Sequence, residues 1–163
     1  MWPTWHRIHL VSQYEWTVMA MAVETITPKA AQDLVDIDLR PILWKIQCEL
    51  STINGGPIDL EAAALAYRRF LTLHQRYPDR TLVPSALIDL VWHYHILDTR
   101  KYAEDCQRIF GYFLHHDPYF GIGDEESRRR NQEAWQETQA LWEKEFGEAL
   151  LGPAHPCSSK DCR

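Results

Sequence analysis

The sequence is short of basic charge and of long apolar runs, and each shortage counts against a class of partner. Lysine and arginine number 17 against 23 acidic residues, so the formal net charge is -6. An acidic chain has no general electrostatic attraction for phosphate backbones or anionic lipid surfaces. Charged residues interrupt every apolar stretch before it reaches the roughly 20 residues of a membrane-spanning helix. We therefore expect neither a nucleic-acid partner nor a membrane partner.

Cysteines are too few for a disulfide framework, with four residues at Cys48, Cys106, Cys157 and Cys162. A chain of this size does not need a disulfide framework, and no convincing export signal precedes these residues. The sequence thus favours reduced thiols and a cytoplasmic location. The last two cysteines could bind a soft metal ion together with His155, but a mobile dithiol is the stronger interpretation.

What the sequence does contain is typical of one globular domain. Its 163 residues are 45% hydrophobic and 12% aromatic, enough for a core rich in large rings. We expect residues 1–24 to be an extension that need not belong to the fold and residues 25–150 to form a helical domain. Residues 151–163 are expected to be a flexible, cysteine-containing tail. The oligomeric state stays open.

Apolar residues recur at helical spacing, and no segment alternates as a strand does, so the predicted fold is all-α. We expect a single irregular or orthogonal bundle of about five helices. The first runs from Thr27 and Pro28 to Leu50, with a kink or split at Pro41. The others are predicted at 60–76, at 86–96, from Asp98 or Thr99 to about Leu114, and from Asp124 to Gly147. The core is predicted to rest mainly on Trp44, Phe70, Trp92, Phe110, Trp135 and Trp142.

Side chains able to bind metal ions concentrate between Val83 and Gly121. Asp89 and His93 lie four positions apart on a predicted helix and share a face, so the carboxylate can orient the imidazole. His95 is rotated roughly 200° from His93, so both bind one ion only if the helix ends or distorts there. His115 and His116 lie where a helix meets a loop, and one of them is the predicted distant ligand.

Two further residues have competing interpretations. Cys106 lies in a core-facing row and is predicted to be a buried small hydrophobe, with a soft metal ligand or a redox thiol as the alternative. His74 is isolated near the end of a predicted helix, where a favourable interaction with the helix dipole explains it.

Several short strings in this region resemble the glycine-rich domain-containing protein-like family. They run from Val83-Pro84-Ser85 through Asp89-Leu90-Val91-Trp92-His93-Tyr94-His95-Ile96-Leu97, and continue with Tyr102, Asp105-Cys106, Phe110-Gly111 and His116-Asp117-Pro118. The resemblance covers roughly residues 30–148 and extends to the small bacterial members, which have about this length. It implies a helical domain but no common activity. This sequence departs from the family name in having seven glycines and no glycine-rich tail.

The sequence supports three hypotheses about function. The first is a metal-binding helical protein with zinc, copper or iron as its ion. Whether it is an enzyme stays open, and the candidate activities are those of an oxidoreductase or of an enzyme that modifies a peptide or small molecule. Its candidate ligands are Asp89, His93, His95, Cys106, His115 and His116. The second is a module that binds a protein or peptide and whose histidines and aspartates form a structural network. The third is metal-free acid–base catalysis by His93 with Asp89.

Overall fold

A computed structural model describes residues 34–50, 52–53, 56–150 and 152 of the chain. The predicted extension over residues 1–24 lies outside these ranges. Most of the predicted tail, residues 151 and 153–163, lies outside them as well, as does the predicted helix start at Thr27 and Pro28.

The described residues form five α-helices, which confirms the prediction of an all-α fold. The helices are α1 (Arg40–Glu49), α2 (Leu60–Arg76), α3 (Ala86–Leu97), α4 (Thr99–Phe110) and α5 (Glu125–Phe146). Between α1 and α2, the two-residue strands β1 (Thr52–Ile53) and β2 (Gly56–Pro57) pair antiparallel. None of the helices in the described ranges combines the length and apolar character needed to cross a membrane.

Three aspartates begin helices by accepting a hydrogen bond from a main-chain N–H three residues later. Asp59 accepts from Ala62, Asp98 from Lys101 and Asp124 from Ser127. These bonds satisfy N–H groups that the first turn of a helix leaves unpaired. These three helices therefore start where the sequence predicted.

Two helix boundaries differ from the prediction. Pro41 does not kink a longer helix but lies in the first turn of α1, where a proline leaves no hydrogen bond unmade. Residues 34–39 before it are not helical. The fourth helix ends at Phe110 rather than near Leu114, because Gly111 takes a left-handed conformation (φ 77°) that closes the helix. Residues 111–116 are consequently free to leave the helix axis and approach α3.

Helix α3 is the centre of the bundle, with α1, α2 and α4 packed against it. Phe70, Trp92 and Trp142 are buried as predicted, and Phe110 and Trp135 pack partly buried against the same core. Trp44 is a correction, since its side chain is 67% exposed on α1.

Buried threonines tie the irregular segments to the helices. Thr72 on α2 accepts a hydrogen bond from the N–H of Val35 at 3.1 Å. Thr138 on α5 accepts one from the N–H of Val83 at 2.9 Å and donates to the carbonyl of Ala134. The bond between Val83 and Thr138 fixes the segment that leads into α3.

Candidate metal centre

Asp89, His93 and His116 form a cluster at the edge of the bundle. One carboxylate or imidazole atom from each residue lies within 4.8 Å of the other two. Asp89 stands between the histidines: its Oδ1 is 2.9 Å from Nε2 of His116, and its Oδ2 is 3.4 Å from Nδ1 of His93. The two imidazole rings lie against each other with centroids 4.6 Å apart. Three groups that commonly bind transition metals thus meet at one point.

The local sequence explains why Asp89 and His93 lie close together. Asp89 and His93 are one turn apart on α3, so their side chains are neighbours on the same side of the helix. Asp89 also lies in the first turn, where the helix dipole favours a negative charge. The Asp89 side chain is only 3% exposed, whereas that of His93 is 48% exposed. The cluster therefore runs from the protein interior to the solvent.

His116 reaches the cluster because buried contacts hold the segment that follows α4. The hydroxyl of Tyr102 donates a hydrogen bond to the carbonyl of Leu114, two residues before His116. The same hydroxyl accepts from the indole N–H of Trp92 at 2.8 Å. The Trp92 ring in turn contacts His116, with centroids 4.6 Å apart. Tyr102 and Trp92 together fix His116 beside α3.

His95 belongs to a second cluster, on another side of α3, in which the histidine itself is 1% exposed. Its Nδ1 is 3.0 Å from the hydroxyl of Tyr67, and its Nε2 is 3.2 Å from Oδ2 of Asp105. Burial lowers the pKa of His95, against the opposing effect of Asp105, so the neutral imidazole is favoured. In that form Nε2–H donates to Asp105 and Nδ1 accepts from Tyr67. Both ring nitrogens are then used within the protein.

Asp105 carries the negative charge of this second cluster. Burial acts to raise its pKa, but hydrogen bonds from Lys101 and Arg108, both at 2.8 Å, outweigh burial and hold the pKa below its usual range. The cluster joins α2, α3 and α4 through His95, which supports the structural hypothesis for this histidine.

Three of the six predicted ligands therefore come together, and three lie elsewhere. Within the described ranges, His95, Cys106 and His115 are not part of the group whose ligand atoms converge. Cys106 is buried in the core beside Tyr102, as expected of a small hydrophobe. His115 is exposed, and its ring packs against Phe113 at 5.0 Å.

A cleft of about 470 Å³ adjoins the cluster, and Asp89 and His116 form part of its wall. The sequence pointed to this region but missed His74, which also lines the cleft. His74 is buried, and burial lowers its pKa to about 4. Its position four residues after Phe70, which is one turn along the buried side of α2, was the available signal.

Fold and cluster together define a helical domain with two imidazoles and one carboxylate gathered beside a cleft. The profile of the UCP032817-like family matches residues 41–142, which include the whole cluster. The chain belongs to the UCP032817-like family.

Two curated relatives support the resemblance to glycine-rich domain-containing proteins. Glycine-rich domain-containing protein 1 of Arabidopsis thaliana is 29% identical over 154 residues, which is 88% of this chain and 18% of the relative. Glycine-rich domain-containing protein 2 of the same plant is 32% identical over 151 residues, 88% of this chain and 19% of the relative. The chain thus spans less than a fifth of the length of these relatives. No solved structure matches it.

Proposed function

We propose that this protein binds one divalent transition-metal ion through Asp89, His93 and His116 and presents that ion to a small molecule in the adjoining cleft. The observation that carries the proposal is the convergence of three ligand atoms within 4.8 Å. Ligands at about 2.0–2.2 Å from an ion lie roughly 3.0–3.5 Å from one another. The separations of 2.9 Å from Oδ1 of Asp89 to His116 and 3.4 Å from its Oδ2 to His93 fall close to that range.

The ligand chemistry favours zinc or iron(II) over copper. Two imidazoles and one carboxylate are the donor set of several catalytic zinc sites and of non-haem iron(II) oxygenases, both of which leave positions open for a substrate. Cys106, whose thiolate would favour a soft ion such as copper(I), lies in the core and outside the converging group. The exposed side of His93 leaves room for further ligands.

The competing function is a protein-interaction module with a purely structural network of histidines and aspartates. One observation favours that interpretation for His95, whose two ring nitrogens are both engaged by buried partners. It does not extend to the cluster at Asp89, which opens toward solvent and a cleft. We therefore propose a structural role for His95 and a ligand role for His93 and His116.

We also propose a bacterial source, as in the small members of the family, and a reducing cytoplasm as the working environment. Cys48 and Cys106 are free thiols, one exposed and one buried, as expected where disulfides do not persist.

Metal analysis of tag-free protein tests the proposal. After incubation with zinc or iron(II) and removal of loose ions, mass spectrometry should find about one ion per chain. His93→Ala and His116→Ala should each lose most of the ion, and Asp89→Asn should weaken binding by at least about 10-fold because the anionic group is lost.

His115→Ala is the matched control, because it removes the neighbouring, exposed imidazole that lies outside the converging group. This variant should keep the ion. Denaturant midpoints on the same samples show whether a variant lost its ion by unfolding. Folded His93→Ala and His116→Ala proteins with undiminished metal content, or a parent protein that takes up no ion, would refute the assignment.

A further inference from the structure

The cleft beside the candidate metal centre has the size and walls of a small-molecule site. Its volume of about 470 Å³ lies within the roughly 300–1,000 Å³ of known ligand pockets. Much of the wall is aromatic or apolar. The residues of that kind include Pro78, Leu82, Pro84, Trp92 and Phe120. Asp89 and His116 also line the cleft, so an ion that they hold borders the same space.

His74 provides a second, independent indication of a ligand. It lines the cleft, and its Nε2 is a buried atom that has no hydrogen-bond partner among the described residues. The ring is held edge-on against Phe70, with centroids 4.7 Å apart, and lies 6.0 Å from the ring of Trp92. Buried polar groups nearly always have a hydrogen-bond partner, so the unpaired nitrogen of His74 indicates a partner from a bound molecule. The nitrogen is shielded from solvent.

Charge in the cleft depends on whether an ion is bound. Apart from histidines, its charged side chains are Arg80, Asp89 and Asp117, which together carry one net negative charge. A divalent ion changes that to one net positive charge. Arg80 already pairs with Glu137 at 3.1 Å, so the cleft has little to offer the several oxygens of a phosphate. A carboxylate matches one positive centre with open coordination positions.

We propose that, given the metal site of the preceding section, the cleft binds a small aromatic carboxylate that carries a ring hydroxyl. The carboxylate coordinates the ion beside Asp89 and His116. The ring packs against the apolar wall around Trp92 and Phe120, and the hydroxyl completes the hydrogen bonding of His74. This ligand class rests on the proposed function, because the carboxylate binds the ion of that site.

Calorimetric titration of the zinc-loaded 163-residue chain tests the ligand class with benzoate, benzamide and the three hydroxybenzoates. Benzoate should bind at least about 10-fold more tightly than benzamide, its neutral isostere, because only benzoate carries the charge. Chelator-treated protein should show no saturable benzoate binding. One hydroxybenzoate should bind about 2- to 12-fold more tightly than benzoate, the range expected for one hydrogen bond.

The His74→Phe variant separates recognition of the hydroxyl from binding of the carboxylate. It should lose the preference for the hydroxybenzoate while its affinity for benzoate stays within about 2-fold, since the ion and the apolar wall remain. An unchanged preference in this variant overturns the role of His74. The comparison of benzoate with benzamide uses the parent protein alone and so does not depend on the folding of the variant.

The failures of this inference and of the metal site are distinguishable. Protein that retains zinc but binds benzoate no better than benzamide, or binds benzoate equally after chelation, overturns the ligand class and leaves the metal site standing. Protein that takes up no ion refutes both.

Discussion

Replacement of Tyr102 by phenylalanine removes one hydroxyl that serves two buried partners. That hydroxyl accepts from the indole N–H of Trp92 at 2.8 Å and donates to the carbonyl of Leu114. The Tyr102 ring is 1% exposed and packs against the rings of His95 and Phe113, and phenylalanine preserves those contacts. The change is therefore confined to hydrogen bonding.

The expected loss follows from the groups that are left behind. A buried polar group deprived of its partner costs about 1–3 kcal/mol, and this substitution leaves one N–H and one carbonyl in that state. Some relaxation around Leu114 will reduce the sum. We expect the free energy of unfolding to fall by about 2–4 kcal/mol.

Urea denaturation measures that fall, with Tyr94→Phe as the matched control. The Tyr94 hydroxyl, on α3, donates to Glu49 at an exposed position, so its loss should cost less than about 0.5 kcal/mol. A fall for Tyr102→Phe no larger than that of the control would contradict the role of the hydroxyl as a buried link. Because Leu114 precedes His116 by two residues, the folded variant should also bind zinc more weakly than the parent.

Two further predictions concern stability. Burial lowers the pKa of His74 to about 4 from an ordinary value of about 6.5, so the folded state favours the neutral imidazole. The free energy of unfolding is therefore highest above pH 6.5. It falls by up to about 3 kcal/mol as the pH falls toward 4, because the unfolded chain then binds a proton at His74 that the folded protein does not. Denaturant midpoints between pH 4 and 7.5 should show this slope, and an equally steep slope in His74→Phe would contradict it. Thr138→Val should lower the free energy of unfolding by about 1–3 kcal/mol, because the buried N–H of Val83 loses its acceptor; urea midpoints that match those of the parent would rule this out.

Local signals explain why the sequence predicted most helix boundaries. Asp59, Asp98 and Asp124 act within three residues of themselves, and Gly147 closes α5 with a left-handed conformation (φ 71°) that glycine adopts readily. The end of α4 was predicted too late because apolar residues after Gly111 continued the helical pattern. Phe113 and Leu114 in fact lie in the loop after α4, where Phe113 is exposed and Leu114 is buried in the core.

The exposed position of Trp44 could not be predicted from spacing alone. It is two residues after Ile42 and two before Ile46, both buried, which places it on the opposite side of α1. Large rings are usually among the buried residues, so composition pointed the other way. Which side of α1 faces the bundle was decided by its packing on α3.

The candidate site shows the same division between local and tertiary information. The approach of Asp89 to His93 follows from helix geometry, and the sequence predicted it. The choice of His116 over its neighbour His115 depends on Tyr102 and Trp92, which are not adjacent in sequence to either. Likewise, His95 meets Tyr67, 28 residues earlier, and Asp105, 10 residues later. Sequence spacing showed that His95 and His93 lie on different sides of the helix, but it could not predict which residues His95 contacts.

The two histidines of α3 show how one helix can support both rigidity and binding. His95 faces inward and links α2 and α4 through buried bonds, which fixes the rotation of α3 about its axis. That rotation aims Asp89 and His93 at the position that His116 occupies. Contacts of the core thus bring Asp89, His93 and His116 together. On the proposed metal site, an ion would find its ligands already in place, and little side-chain freedom would be lost on binding.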